Sequence, residues 1–203
     1  MAGRREGCLR ARGHPHLTPT GLLLLGAAGS GTSTLGRAVS DELGWRHLEL
    51  DDFLWVATDP PYTTRNPPER RAQLLREAID GAPAWVLSGS PGSWAEFVVP
   101  SLVLVVFLRA PTDVRIARIA RREAKRYGAA IEPGGALHDT HAAFLAWAAQ
   151  YDDGPPEGRS LREHERWLGT LTAPVLPLDT TEPVATLLRA VHDTLGPLGR
   201  RPK

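Results

Sequence analysis

The 203-residue chain predicts an α/β fold: three layers, with a five-stranded parallel sheet between helices on both faces. Three observations predict it. An apolar run at residues 22–25 enters a glycine turn and leaves it as a helical pattern at 35–43. Apolar runs of strand length then alternate with helical periodicity, the pattern of parallel strands joined by right-handed crossovers. Residues 102–108 are an unbroken apolar run, as expected of a strand covered on both sides.

In chain order, residues 1–18 are basic, contain Gly and Pro and show no periodicity, which predicts a disordered basic tail before a domain at 19–203. A strand at 21–26 runs into Gly26-Ala27-Ala28-Gly29-Ser30-Gly31-Thr32-Ser33-Thr34, and a helix over 30–43 follows, with Gly44 as its stop. Glycines there let backbone N–H groups turn inward around an anion, and the positive end of the helix points at the same place. The spacing Gly26-x4-Gly31 with a hydroxyl at Ser33 fits a phosphate-binding loop, but Thr32 stands where that motif has lysine. A second strand, 47–50, ends in Asp51-Asp52. These acids could hold Mg²⁺ or take a proton from a substrate hydroxyl, or simply form a turn or helix cap.

A loop over 53–65 precedes a helix from Asn66-Pro67 to Asp80. The third strand, 85–87, opens into a Ser/Gly-rich loop in which Ser88 stands near the place of a metal-binding acid, and Trp94 could stack on a substrate ring or pack. After the fourth strand, Thr112 is expected to cap a helix to Tyr127, with Ile116, Ile119 and Ala120 facing the core. Arg115, Arg118 and Arg122 fall on another face, either a solvated surface or an arginine cluster for a transferred phosphate. A small flexible lid is expected around 128–140. Helices at 138–150 and 160–171, a fifth strand at 175–178 and a last helix at 181–195 complete the chain.

Composition narrows the function classes. A formal net charge of +1 makes no strong electrostatic claim on nucleic acid or membrane. The single cysteine, Cys8, excludes an internal disulfide framework and agrees with a reducing compartment, so a cytoplasmic location is expected. No apolar run approaches the length of a membrane span.

The order of these features resembles the small P-loop kinases, the adenylate-, shikimate- and gluconate-kinase-like group. The residues that carry the resemblance are the loop Gly26–Ser33, the acids Asp51-Asp52, the run 105–111 with its arginine helix, and Val175-Leu176-Pro177-Leu178-Asp179. The resemblance spans nearly all of residues 20–195. It implies a P-loop NTPase fold with sheet order 2-3-1-4-5, ATP and Mg²⁺, and transfer of the γ-phosphoryl to a nucleotide or another small acceptor. It implies that Gly26, Gly29, Ser30, Gly31, Thr32, Ser33 and Thr34 hold the nucleotide, and that Ser33 and Asp52 serve the metal. Asp51 or Asp52 would face the acceptor, and Arg118 or Arg122 would stabilise the transferring group. Two departures bear on rate: the loop lysine is absent, and so is the acid after the third strand. A cation near a phosphate is worth about 4 kcal/mol at 4 Å in an effective dielectric of 20. A degenerate site that binds nucleotide without turnover is therefore open. So is a sulfotransferase-like reading, from the likeness of Ser30-Gly31-Thr32-Ser33-Thr34-Leu35 to a phosphosulfate loop.

Overall fold

A computed structural model describes residues 20–58, 62–154 and 159–198; the basic tail at 1–18 lies outside them. The five strands are β1 (Thr20–Gly26), β2 (Arg46–Glu49), β3 (Ala84–Ser88), β4 (Leu102–Arg109) and β5 (Val175–Asp179). They form one all-parallel sheet in the order β2-β3-β1-β4-β5, as the resemblance implied. β1 sits at the centre because its residues Leu22 to Leu25 have no exposed surface and need cover on both faces.

Among the described residues, seven α-helices flank the strands: α1 (Thr32–Leu43), α2 (Leu50–Leu54), α3 (Pro68–Ile79), α4 (Thr112–Tyr127), α5 (His138–Ala149), α6 (Leu161–Leu168) and α7 (Val184–Leu198). Alternation along β1 splits the core in two. Leu22 and Leu24 pack with Leu35 and Val39 of α1 and Leu187 and Val191 of α7. Leu23 and Leu25 face the other layer, with Leu75 of α3 and Leu168 of α6.

Four expectations are corrected. β2 ends at Glu49, so Asp51 and Asp52 lie in the first turn of α2 rather than at a strand end; acids are favoured there by the helix dipole. Thr112 does not cap α4: Pro111 holds the cap position, and the Thr112 hydroxyl bonds the Asp152 carboxylate instead. The buried stripe of α4 is Arg115, Ile119 and Glu123, a four-residue ladder that brings one arginine inside. The helix expected to run to 171 ends at Leu168; it begins after Ser160, whose hydroxyl accepts the Glu163 N–H at 3.2 Å. Trp94 lies in a 3₁₀ segment, Ser93–Ser101, and packs against the core. Residues 128–131 form another 3₁₀ turn leading toward α5.

Candidate functional site

All five strands present their carboxyl ends on one edge, where open parallel sheets place ligands. The glycine loop lies at its middle. Gly29 and Gly31 have φ of +79° and +94°, which a side chain would disfavour. Gly26 is needed for a different reason: a Cβ there would stand 2.7 Å from the Leu108 carbonyl and 2.3 Å from Ser30 Oγ. Ser30 is fully buried with its hydroxyl unpartnered among the described residues. Gly31 starts α1, with no side-chain cap on the first N–H groups. A helix end whose first N–H groups have no side-chain cap suits an anion.

Ser33, in the first turn of α1, donates its hydroxyl to Glu49 Oε2 at 2.8 Å. Glu49 ends β2 and pairs in register with Ser88 on β3. A carboxylate thus stands one strand over from Ser88, at the same level of the sheet. Glu49 Oε1 is buried without a hydrogen-bond partner, with Arg37 and His47 each at 3.7 Å. Burial raises the Glu49 pKa above the usual carboxylate value, and the Ser33 hydrogen bond offsets part of that. Ser88 donates to the Thr32 carbonyl at 3.1 Å, which spends its only proton, so His47 Nε2 donates to Ser88 Oγ at 2.8 Å. Burial and the Arg37 charge lower the His47 pKa, in keeping with a neutral ring.

Asp51 and Asp52 are exposed, and their side chains make no hydrogen bond or ion pair among the described residues. Both add negative potential at Glu49. The Asp51 charge also acts on Arg159, a half-buried guanidinium set over the Trp147 ring at 5.8 Å. Burial and the like charge of Arg65 lower the Arg159 pKa, and Asp51 opposes that. Behind this group lies a buried polar chain. His164, 4% exposed, bonds Ser90 Oγ through Nε2 at 2.7 Å and the Tyr151 hydroxyl through Nδ1 at 2.8 Å.

The arginines of α4 divide. Arg118 reaches Thr180 after β5, with 2.9 Å to its hydroxyl and 2.5 Å to its carbonyl. Arg122 pairs with Glu123 at 2.9 Å. The α4 arginine that touches the glycine loop is Arg115, which donates to the Ala28 carbonyl at 3.5 Å. Beside the loop, toward β5, a cleft of about 470 Å³ is lined by Ala27, Arg109, Tyr151 and Asp179, among others.

The family described as an AAA domain (AAA_18) matches residues 22–133, more than half of the chain. The chain belongs to this family of P-loop kinase-like proteins. The uncharacterized protein YqaC of Bacillus subtilis is 40% identical over 156 residues, 77% of this chain and 86% of that protein. A cytidylate kinase of Pyrococcus furiosus is 29% identical over 123 residues, 52% of this chain and 60% of that enzyme. Among solved structures, a shikimate kinase of Bacteroides thetaiotaomicron is similar with a TM-score of 0.54 at 15% identity, covering 87% of this chain and 98% of that one. A gluconokinase of Sinorhizobium meliloti gives 0.51 at 18% identity, over 90% and 93%. At such identities these two likenesses establish the fold. Glu49, Arg159 and the Ser90–His164–Tyr151 chain were not singled out from the sequence, and Arg115, expected on one face with Arg118 and Arg122, is buried instead. The one available signal for Glu49 was its place in an apolar alternation, the last strand residue before two acids.

Proposed function

We propose that the chain is an ATP-dependent phosphotransferase that moves the γ-phosphoryl of ATP to the hydroxyl or phosphate of a small acceptor. The observation that carries this reading is Ser33, in the first turn of the phosphate loop's helix, joined to a carboxylate whose other oxygen has no hydrogen-bond partner among the described residues. Ser33 gives its proton to Glu49, which leaves its oxygen lone pairs for a cation. Glu49 Oε1 has no hydrogen-bond partner. Two hard oxygen donors of this kind fit Mg²⁺, which keeps several waters and takes few protein ligands. Ser33 and Glu49 would hold it, with Asp52 adding negative potential nearby. The chemistry supplied by bound Mg²⁺ is neutralisation of charge on the β- and γ-oxygens.

In this reading Gly26, Gly29, Ser30, Gly31, Thr32, Ser33 and Thr34 cradle the phosphates, and the cleft lined by Arg109 and Asp179 takes the nucleoside. Asp51 faces the acceptor and receives its hydroxyl proton. The bond from the γ-phosphorus to its bridging oxygen breaks, the acceptor oxygen bonds to that phosphorus, and ADP leaves. Arg159, with no ion-pair partner among the described residues, supports an acceptor that carries negative charge. Residues 128–140 would serve as the lid.

The test is a thermal-shift titration with ATP, ADP and GTP, with and without Mg²⁺, followed by ADP release with sugar acids, polyols and nucleoside monophosphates. A Mg²⁺-dependent rise in melting temperature and acceptor-dependent ADP release are expected. No shift with any nucleotide at millimolar concentration would overturn the reading. A second reading, nucleotide binding without turnover, is favoured by Thr32 and by Arg118 and Arg122 being engaged elsewhere. Binding with no ADP release across the panel would select it.

A further inference from the structure

We propose that Arg115 is a positioning residue for the phosphate loop, holding its backbone from behind in the anion-binding conformation. The inference rests on the nucleotide-binding reading above. Arg115 is 1% exposed, yet it is charged and lies in the fourth position of α4, on the buried stripe with Ile119 and Glu123. A buried guanidinium is retained only if its donors are met, and here they are. Nε donates to the Ala110 carbonyl at 3.2 Å. Nη1 donates to the carbonyls of Ala148 at 3.1 Å and Ala28 at 3.5 Å. Nη2 donates to Thr112 Oγ1 at 2.8 Å and Asp152 Oδ2 at 3.0 Å. The Tyr151 ring covers one face, 5.1 Å from the guanidinium carbon.

The contact with Ala28 does something specific. A trans peptide points its C=O and N–H in opposite directions. Drawing the Ala28 carbonyl toward Arg115 therefore turns the Gly29 N–H away from it. The main chain of the same residue presses on the loop at the next position. A Cβ on Gly29 would stand 2.5 Å from the Arg115 carbonyl oxygen. One residue thus fixes two consecutive loop positions, with its guanidinium at Ala28 and its backbone at Gly29. The far end of the fork is anchored at the end of α5 and the turn after it, through Ala148 and Asp152.

This matters more in this chain than in one with a loop lysine. With Thr32 in the lysine position, phosphate binding falls to backbone dipoles, and fixed dipoles help in proportion to how little they must reorganise. The Arg115 charge is paired with Asp152; its role is orientation, not attraction.

The experiment measures Mg·ADP and tripolyphosphate affinity calorimetrically for the wild type, Arg115→Met, Arg115→Lys and Thr112→Val, each well below its melting temperature. Arg115→Met keeps the volume and loses every donor; its affinity should fall about 30-fold, with Arg115→Lys recovering part of the loss. Thr112→Val removes one of the two acceptors of Nη2 and should cost about threefold. Losses that persist at high salt fit orientation. A purely structural role would lower melting temperatures and leave the affinity of folded protein unchanged. Arg115→Met within twofold of the wild type overturns the proposal, and if that variant does not fold, unchanged affinity in Thr112→Val overturns it. Wild-type protein that binds neither ligand overturns the nucleotide reading, and this inference with it.

Discussion

Glu49 holds a carboxylate where burial disfavours its charged form. An acid whose folded pKa lies above its unfolded value weakens the native state as pH rises through that interval and beyond. Glu49→Gln removes this cost, so a higher melting temperature at neutral pH is expected. In the proposed reading the same change also removes a metal oxygen, and the Mg²⁺ concentration needed for nucleotide binding should rise roughly ten- to hundredfold, the range seen when groups that tune a metal site are lost. Differential scanning calorimetry and Mg²⁺ titration check the two halves separately. Unchanged Mg²⁺ dependence would remove Glu49 from the metal site. Thr32 makes the converse case. Arg118, Arg122 and Arg115 are each engaged with protein groups, so the lysine position is not taken by any of them. Thr32→Lys should therefore strengthen ATP binding by one to two powers of ten, roughly 1.4–2.8 kcal/mol. This is below the Coulomb figure because the ammonium must shed water and rotamer freedom. Calorimetric titration of both proteins with Mg·ATP at one salt concentration decides it; level or weaker binding would mean a cation already serves there.

Helix α1 shows how an element can be set by what it touches rather than by its own propensity. Gly36 sits inside it, and glycine costs roughly 1 kcal/mol against alanine in a helix interior. A Cβ there would meet His47 Nε2 at 2.3 Å and Ser88 Oγ at 2.4 Å. Glycine lets α1 lie close enough for Ser88 to reach the Thr32 carbonyl. Gly36→Ala should therefore destabilise, by roughly 1–3 kcal/mol as overpacking does, against the sign of helix propensity. Urea unfolding of both proteins checks it, and a stabilised variant would show that the contact is loose. The same logic explains what the sequence could and could not reveal. Strands β1 and β4 and the loop between β1 and α1 were legible because burial on two faces and glycine geometry leave local marks. Arg115 was not, because an arginine at the inner position of an amphipathic helix reads as polar until its partners at 28, 148 and 152 are known. Glu49 was missed for a related reason: its place beside the loop comes from register with Ser88, a pairing across 39 positions of chain.

His164 of α6 ties three parts of the fold together. It joins α6 to the loop after β3 by Ser90 and to the turn after α5 by Tyr151, and its ring packs edge-on against Phe107 of β4. Burial first, then the Arg159 charge, lowers its pKa from 6.5 to about 4. A neutral ring donates at one nitrogen and accepts at the other, which suits two hydroxyl partners; a protonated ring needs two acceptors. The sign of the linkage follows. Between the folded and unfolded values the unfolded chain binds the extra proton, so stability rises with pH in that window and is lost as pH falls from 6.5 toward 4. The interval corresponds to about 3 kcal/mol at most, at 1.36 kcal/mol per unit. His47, also lowered by burial, acts in the same direction. Asp179 does not contribute in this window: the Thr181 N–H and hydroxyl hold its pKa below 3.8, so its share is lost only in stronger acid. His164→Gln offers one donor and one acceptor without a titrating group. The free energy of unfolding in urea, measured at pH 7, 6, 5 and 4, should fall for the wild type by about 3 kcal/mol more than for this variant. Parallel curves for the two proteins would mean that His164 takes up its proton in the native state, and that its contacts with Ser90 and Tyr151 survive the charge.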